Sequence, residues 1–167
     1  MRKLLTSVLV MGAITASAQA SEDDIATARV FALDTNVAAA KAFDNELARQ
    51  VGFSLAITDT TQPRTVLCVY KTGGPEGLRI EFKYKNLESD DGQVATGKQI
   101  VHYQRITATD ATMCKIFNYI FNTQVQTDQL RLLTSSGSPM KYKGGSYTYM
   151  LDQADYRPGY WELTFIR

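Results

Sequence analysis

The chain has 167 residues, of which 44% are hydrophobic, 21% charged and 10% aromatic. That is the make-up of an ordinary globular domain and excludes disordered, collagen-like and disulfide-dense scaffolds. With 18 basic and 17 acidic residues the formal net charge is +1, too balanced for a partner held by charge alone, so neither nucleic acid nor an anionic membrane is an expected partner.

Arg2 and Lys3 precede an apolar run from Leu4 to Ile14, and Ala18-Gln19-Ala20 then offers small residues ahead of the acidic Ser21-Glu22-Asp23-Asp24. This order predicts a secretory signal peptide over residues 1–20, too short to persist as a membrane-spanning helix. No cysteine follows the apolar run to carry a lipid. Cleavage would remove 20 of the 167 residues, leaving 147, and would take two basic residues and no acidic one, moving the net charge from +1 to −1. Residues 21–167 are expected to form one exported domain, periplasmic or extracellular, with no membrane anchor after cleavage. A chain of that size buries about two-thirds of its unfolded surface, enough for a core of its own. Cys68 and Cys114 both lie beyond the cleavage site, and an even pair in an oxidising compartment reads as one disulfide, with two buried free thiols as the alternative.

The first element is a helix from about Val37 to Val51, with Asp34, Thr35 and Asn36 at its start, Gly52 at its end and an apolar stripe of Ala39, Ala42, Phe43 and Leu47. Phe53, Leu55 and Ile57 then alternate with Ser54, Ala56 and Thr58 as a strand. Arg64 to Lys71 is apolar on both faces and reads as a central strand. After the Gly73 to Gly77 loop, Leu78 to Lys85 alternates most cleanly of all, as an antiparallel strand with one wet face does. The polar stretch from Asn86 to Lys98 reads as a loop and Gln99 to Thr107 as a strand. A second helix follows from about Thr109 to Gln124, with Met113, Ile116, Phe117, Ile120 and Phe121 on one face and Cys114 beside them, so a Cys68–Cys114 disulfide would pin this helix over the Cys68 strand. Ser135 to Pro139 reads as a loop, and Gly144-Gly145 as a hairpin turn between Met140–Tyr142 and Tyr147–Leu151. Trp161, Leu163 and Phe165 alternate in a last strand. Helix, strands, helix, strands is an α+β order: an antiparallel sheet of about six to eight strands with two helices packed on it. The two halves suggest a duplicated helix-plus-sheet unit without residue-level similarity.

Motifs for catalysis and cofactors fall short. Gly92 to Lys98 has the spacing of a phosphate loop, yet Gln99 replaces the Ser or Thr that would hold Mg²⁺ and a strand follows where a helix is needed. Glu88-Ser89-Asp90-Asp91-Gly92 resembles a calcium loop but has Leu87 and Lys98 where the first and last carboxylates belong. His102 is the only histidine, which excludes zinc sites built on two or three imidazoles. A hydrolase would need His102 beside a nucleophile such as an unbonded Cys114, and a glycosidase would need a carboxylate pair such as Glu81 and Glu162. No metal or cofactor is expected.

Aromatic residues crowd the C-terminal part: Tyr142, Tyr147, Tyr149, Tyr156, Tyr160 and Trp161, interleaved with Lys141, Lys143 and Arg157. Rings with polar tips beside cations suit recognition surfaces, and tyrosines also simply pack sheets well. The sequence therefore favours an exported, non-enzymatic binding protein, such as an inhibitor, immunity or adaptor factor, or accessory subunit acting on another protein. Its expected contact set is Lys141, Tyr142, Lys143, Tyr147, Tyr149, Tyr156, Tyr160 and Trp161. A small exported hydrolase using His102 and a structural subunit of a surface assembly are the alternatives.

Overall fold

The computed structural model of the chain describes residues 33–73, 77–88, 95–142 and 145–167; the expected signal peptide lies outside them. Helix α1 spans Val37–Gln50. It starts where the Asn36 side chain accepts a 2.8 Å hydrogen bond from the Ala39 amide, satisfying one of the donors a helix start leaves open. It stops at Gly52, whose φ of +91° only glycine adopts without strain. Strands β1 (Ser54–Asp59), β2 (Thr65–Lys71), β3 (Gly77–Glu88) and β4 (Ala95–Thr109) follow as a meander. Helix α2 (Asp110–Phe121) comes next, then a 3₁₀ helix (Thr127–Leu133) and a second meander of β5 (Ser135–Tyr142), β6 (Gly145–Gln153) and β7 (Tyr160–Ile166).

All seven strands form one antiparallel sheet in the order β1-β2-β3-β4-β7-β6-β5. Each meander is preceded by a helix, and the last strands of the two meanders, β4 and β7, pair at the centre. The helix-plus-sheet duplication is thus present as topology. The register places Cys68, Ile80, Ile106, Leu163 and Leu151 in one row across the sheet, and every member of that row is buried. This face meets Leu47 and Ala48 of α1 and Met113, Ile116 and Ile120 of α2 in one hydrophobic core. Fully burying each such aliphatic side chain contributes about 1.5–3 kcal/mol, so the row and the two helix stripes together specify which sheet face turns inward.

The α+β class and the antiparallel sheet are as the sequence predicts; several details differ. The 3₁₀ helix adds a third helical element. On α1 the buried stripe is Ala40, Asp44, Leu47 and Ala48, with Ala39 and Ala42 exposed. The stripe is rotated because it runs through a carboxylate that hydropathy alone assigns to solvent. Helix α2 ends three residues before Gln124 because Asn122 turns left-handed, φ +52°. There the Asn118 side chain accepts from the Thr123 hydroxyl and the Val125 amide and donates to the Val125 carbonyl, each at 2.8 Å. The long polar loop is shorter than expected, since β3 runs on to Glu88 and β4 begins at Ala95. Ser135 to Pro139 is strand, not loop. Pairing with β6 overrides weak propensity there, and Pro139 is tolerated because β5 is an edge.

The expected disulfide is absent: Cys68 and Cys114 are both buried and unbonded. Helix α2 packs over β4 and β7, whereas Cys68 sits on β2, two strands from β4. At about 4.7–4.9 Å per strand that offset exceeds the roughly 7 Å Cα separation a disulfide bridges. The Cys114 thiol instead donates to the Val125 carbonyl at 2.9 Å, and the Cys68 thiol lies 3.9 Å from the Thr58 hydroxyl.

Candidate binding surface

The C-terminal aromatic set does not come together as one exposed patch. Tyr147 and Tyr149 share a face, as alternation predicts, but it is the inner one. Tyr147 is buried, with its hydroxyl donating to Asp34, and Tyr149 packs half-buried on Phe121 with ring centroids 5.0 Å apart. Trp161 is buried too, and its indole N–H donates to Asp110 in the first turn of α2, where a carboxylate also suits the helix dipole. Tyr142 is the register partner of Gly145, whereas Tyr147 and Tyr149 pair with Met140 and Ser138. Lys141 lies on β5 opposite Ser146, and Lys143 and Gly144 lie outside the described residues. Tyr156 is 59% exposed, and Tyr160 is half-buried beneath the Arg157 guanidinium at 3.6 Å.

The outer face of the sheet carries a different constellation. Among the described residues no helix covers it. Across its middle, Glu81, Arg105 and Thr164 stand in one row on β3, β4 and β7. Arg105 reaches Glu81 at 3.3 Å and Glu162 at 3.7 Å, and Glu162 accepts a 2.8 Å hydrogen bond from the Tyr156 hydroxyl. One row along, the Lys83 ammonium lies 4.9 Å from the Tyr103 ring centre. Leu67 and Val69 flank this centre on the β2 side, and Ile166 and Met150 on the other; all four are half-buried. Tyr156 thus belongs to a surface, but one organised by Arg105 and not by the β5–β6 hairpin.

Comparison with protein-family models, curated proteins and solved structures finds no match to this chain. Chemistry at the site therefore rests on its own geometry.

Glu81 and Glu162, the carboxylate pair singled out in the sequence, are brought to either side of Arg105. Arg105 pairs with both, so a guanidinium stands between the two carboxylates where a glycosidase would hold the bond to be cleaved. His102 occupies the extra position where the β3–β4 register shifts, between Val101 and Tyr103. Burial, helped by Lys85 and Lys83, holds its imidazole below the usual histidine range. The thiol of Cys114 is directed at a backbone carbonyl, so the nucleophile pairing that a His102 hydrolase would need is not formed. No group of three or more metal-ligating side chains occurs among the described residues. An open depression of about 780 Å³ beside the start of α1 is lined by Asp34, Asn36, Lys41, Leu87 and Ile100 among others. Its carboxylate, Asp34, is held by Tyr147 and Arg167.

Sequence reading missed Arg105 and Tyr103. Their signal is the odd positions of β4, where the half-buried Tyr103 and Arg105 alternate with the buried Gln104 and Ile106.

Proposed function

We propose that the protein is an exported, non-enzymatic binding protein that engages another protein through the open face of its sheet. The supporting observation is the Glu81–Arg105–Glu162 ladder with Tyr103 and Tyr156 beside it, framed by half-buried aliphatic side chains on a face with no helix above it among the described residues. Arginine and tyrosine in a partly desolvated setting are the residue types that dominate binding energies. Charges of both signs fix orientation more than they add affinity. In this reading the inward-facing Tyr147, Tyr149 and Trp161 set the shape of the sheet, and Tyr156 is the contact residue retained from the aromatic cluster.

The test is affinity capture from envelope extract of the source organism with the mature protein and with Arg105→Glu and Tyr103→Ala/Tyr156→Ala variants. A partner bound by the parent and lost, by tenfold or more in affinity, from both variants with unchanged melting temperature supports the reading. Equal capture by all three removes the open face from consideration.

A second reading, a structural subunit of an assembly, draws on the β1 edge. Leu55 and Ile57 are 47% and 53% exposed there, and an unpaired edge of this kind is a template for strand addition. Concentration-dependent association abolished by Ile57→Lys favours it; a monomer at all concentrations rejects it.

A further inference from the structure

We propose that Asp44 is carried in the folded protein as a neutral carboxylic acid in a reciprocal pair with the Gln104 amide, and that this pair is a pH-sensitive latch holding α1 on the sheet. Both side chains are 0% exposed. The Gln104 Nε2 donates to Asp44 Oδ1 at 2.5 Å. Asp44 Oδ2 and Gln104 Oε1 are each buried without a hydrogen-bond partner.

One proton accounts for both orphans. With Oδ2 protonated, its O–H donates to Gln104 Oε1 while the amide N–H donates to Oδ1, closing a two-bond ring of the kind acids and amides form. Exchanging the amide oxygen and nitrogen changes which atom is left over but not the count: an ionised carboxylate beside a primary amide leaves an acceptor oxygen on each unmatched. Neither orphan atom finds another hydrogen-bond partner among the described residues. Gln104 is flanked in register by Phe82 and Phe165, both buried. An unpaired polar atom in such a place loses its hydration with no compensation.

Among the described residues no cation pairs with the site either. From β2, Cys68 and Tyr70 are the titratable groups that sense Asp44. Burial pushes both upward, so each is neutral in the physiological range, and the Tyr70 hydroxyl donates to Asn45 at 3.0 Å. From β3 the titratable group on the inner face is Tyr84, packed at the margin of the core. Strand β1 places its carboxylate, Asp59, opposite Leu67 on the outer face. On α1 itself Lys41 is only partly buried and makes no ion pair with Asp44. Burial accordingly raises the Asp44 carboxyl well above its ordinary value, with the Gln104 hydrogen bond opposing in part.

The sign follows from proton binding. The unfolded chain releases the Asp44 proton near pH ~4, whereas the folded pair keeps it. The folded state therefore holds more protons above that point, and stability falls as pH rises until the pair itself ionises. Ionisation leaves two acceptors without a donor between them at the contact joining α1 to β4, and α1 loosens from the β1–β4 half of the sheet.

Asp44→Asn tests the latch, because the asparagine amide reproduces the neutral acid: its N–H donates to Gln104 Oε1 and its oxygen accepts from Nε2 at every pH. Expected is an unfolding constant for the parent that rises relative to the variant by up to about tenfold per pH unit above pH ~4, leaving the variant the more stable protein at pH 8. At pH 8, α1 amides should also exchange faster in the parent than in the variant. A parent-to-variant ratio independent of pH, or one moving in favour of the parent toward alkaline pH, overturns the proposal. Carbon NMR of the Asp44 carboxyl in the parent gives a second reading that needs no variant: the carbon should remain at its acid position as pH rises past the ordinary aspartate value, and titration near that value overturns the neutral pair.

Discussion

Replacing Tyr147 by phenylalanine deletes one oxygen and leaves the buried ring in place. That oxygen donates to Asp34 Oδ2, while Arg167 donates to Oδ1 of the same carboxylate. Asp34 stands at φ +58°, and its amide reaches the Val101 carbonyl at 3.0 Å while the Val101 amide reaches Thr35 at 2.9 Å. The carboxylate thus ties the lead-in to α1, strand β6 and the residue after β7 into one clasp. A hydrogen bond to a charged group contributes about 1.5–3 kcal/mol. Because Arg167 continues to hold the other oxygen, Tyr147→Phe should fall at the low end, about 1.5 kcal/mol. At roughly 2–4 °C per kcal/mol for a chain of this size, melting should drop by about 3–6 °C. Urea unfolding should show a midpoint lowered by about 0.5–1.5 M with unchanged slope. Asp34→Asn keeps a residue type that tolerates positive φ and removes the charge. The double variant should be less destabilised than the sum of the singles by about 1 kcal/mol. Tyr147→Ala, which also empties the ring site, should cost about 3–5 kcal/mol. Strict additivity between Tyr147→Phe and Asp34→Asn, or a Tyr147→Phe effect below about 0.5 kcal/mol, the level of an ordinary surface substitution, would refute the clasp.

Thiol titration of protein unfolded without reductant should find two reactive cysteines per chain, and reductant should leave the melting temperature unchanged. The His102 imidazole, followed by NMR, should titrate below the usual histidine value and move upward in Lys85→Glu. Since its folded value is depressed, its contribution to stability is complete above pH ~6.5 and is lost as pH falls from there through the folded value. Tyr149→Ala should lower stability by about 2–4 kcal/mol through its contact with Phe121, and a neutral outcome would return that ring to the surface.

Where hydropathy and periodicity agree, the chain was readable. Met113, Ile116, Phe117, Ile120 and Phe121 make the buried face of α2, and Leu78, Ile80 and Phe82 make that of β3. Elsewhere the deciding contact is distant in sequence. Asp44 is inside because Gln104, sixty positions on, meets it. Tyr147 is inside because Asp34 receives its hydroxyl. Ser135 to Pro139 is extended because β6 supplies partners that no local pattern announces. The cysteines stay apart because strand order, invisible in one sequence, sets β3 between the Cys68 strand and the β4–β7 pair on which the helix bearing Cys114 packs. The outer-face constellation was legible only in fragments: the alternation of β3 displayed Glu81, but its meeting with Arg105 and Glu162 depends on β7 lying next to β4.

That adjacency also governs the order in which the molecule can assemble. Of the seven strands β7 is the last to be synthesised, yet it occupies an interior place between β4 and β6. Until it arrives, the two meanders are separate sheets with four open margins instead of two, the inner ones belonging to β4 and β6. Contacts so far apart along the chain form slowly, and unpaired margins of this kind promote association between incomplete chains. A chain lacking residues 160–167 should therefore accumulate as aggregate and not as a smaller folded domain, because the sheet is closed from its middle.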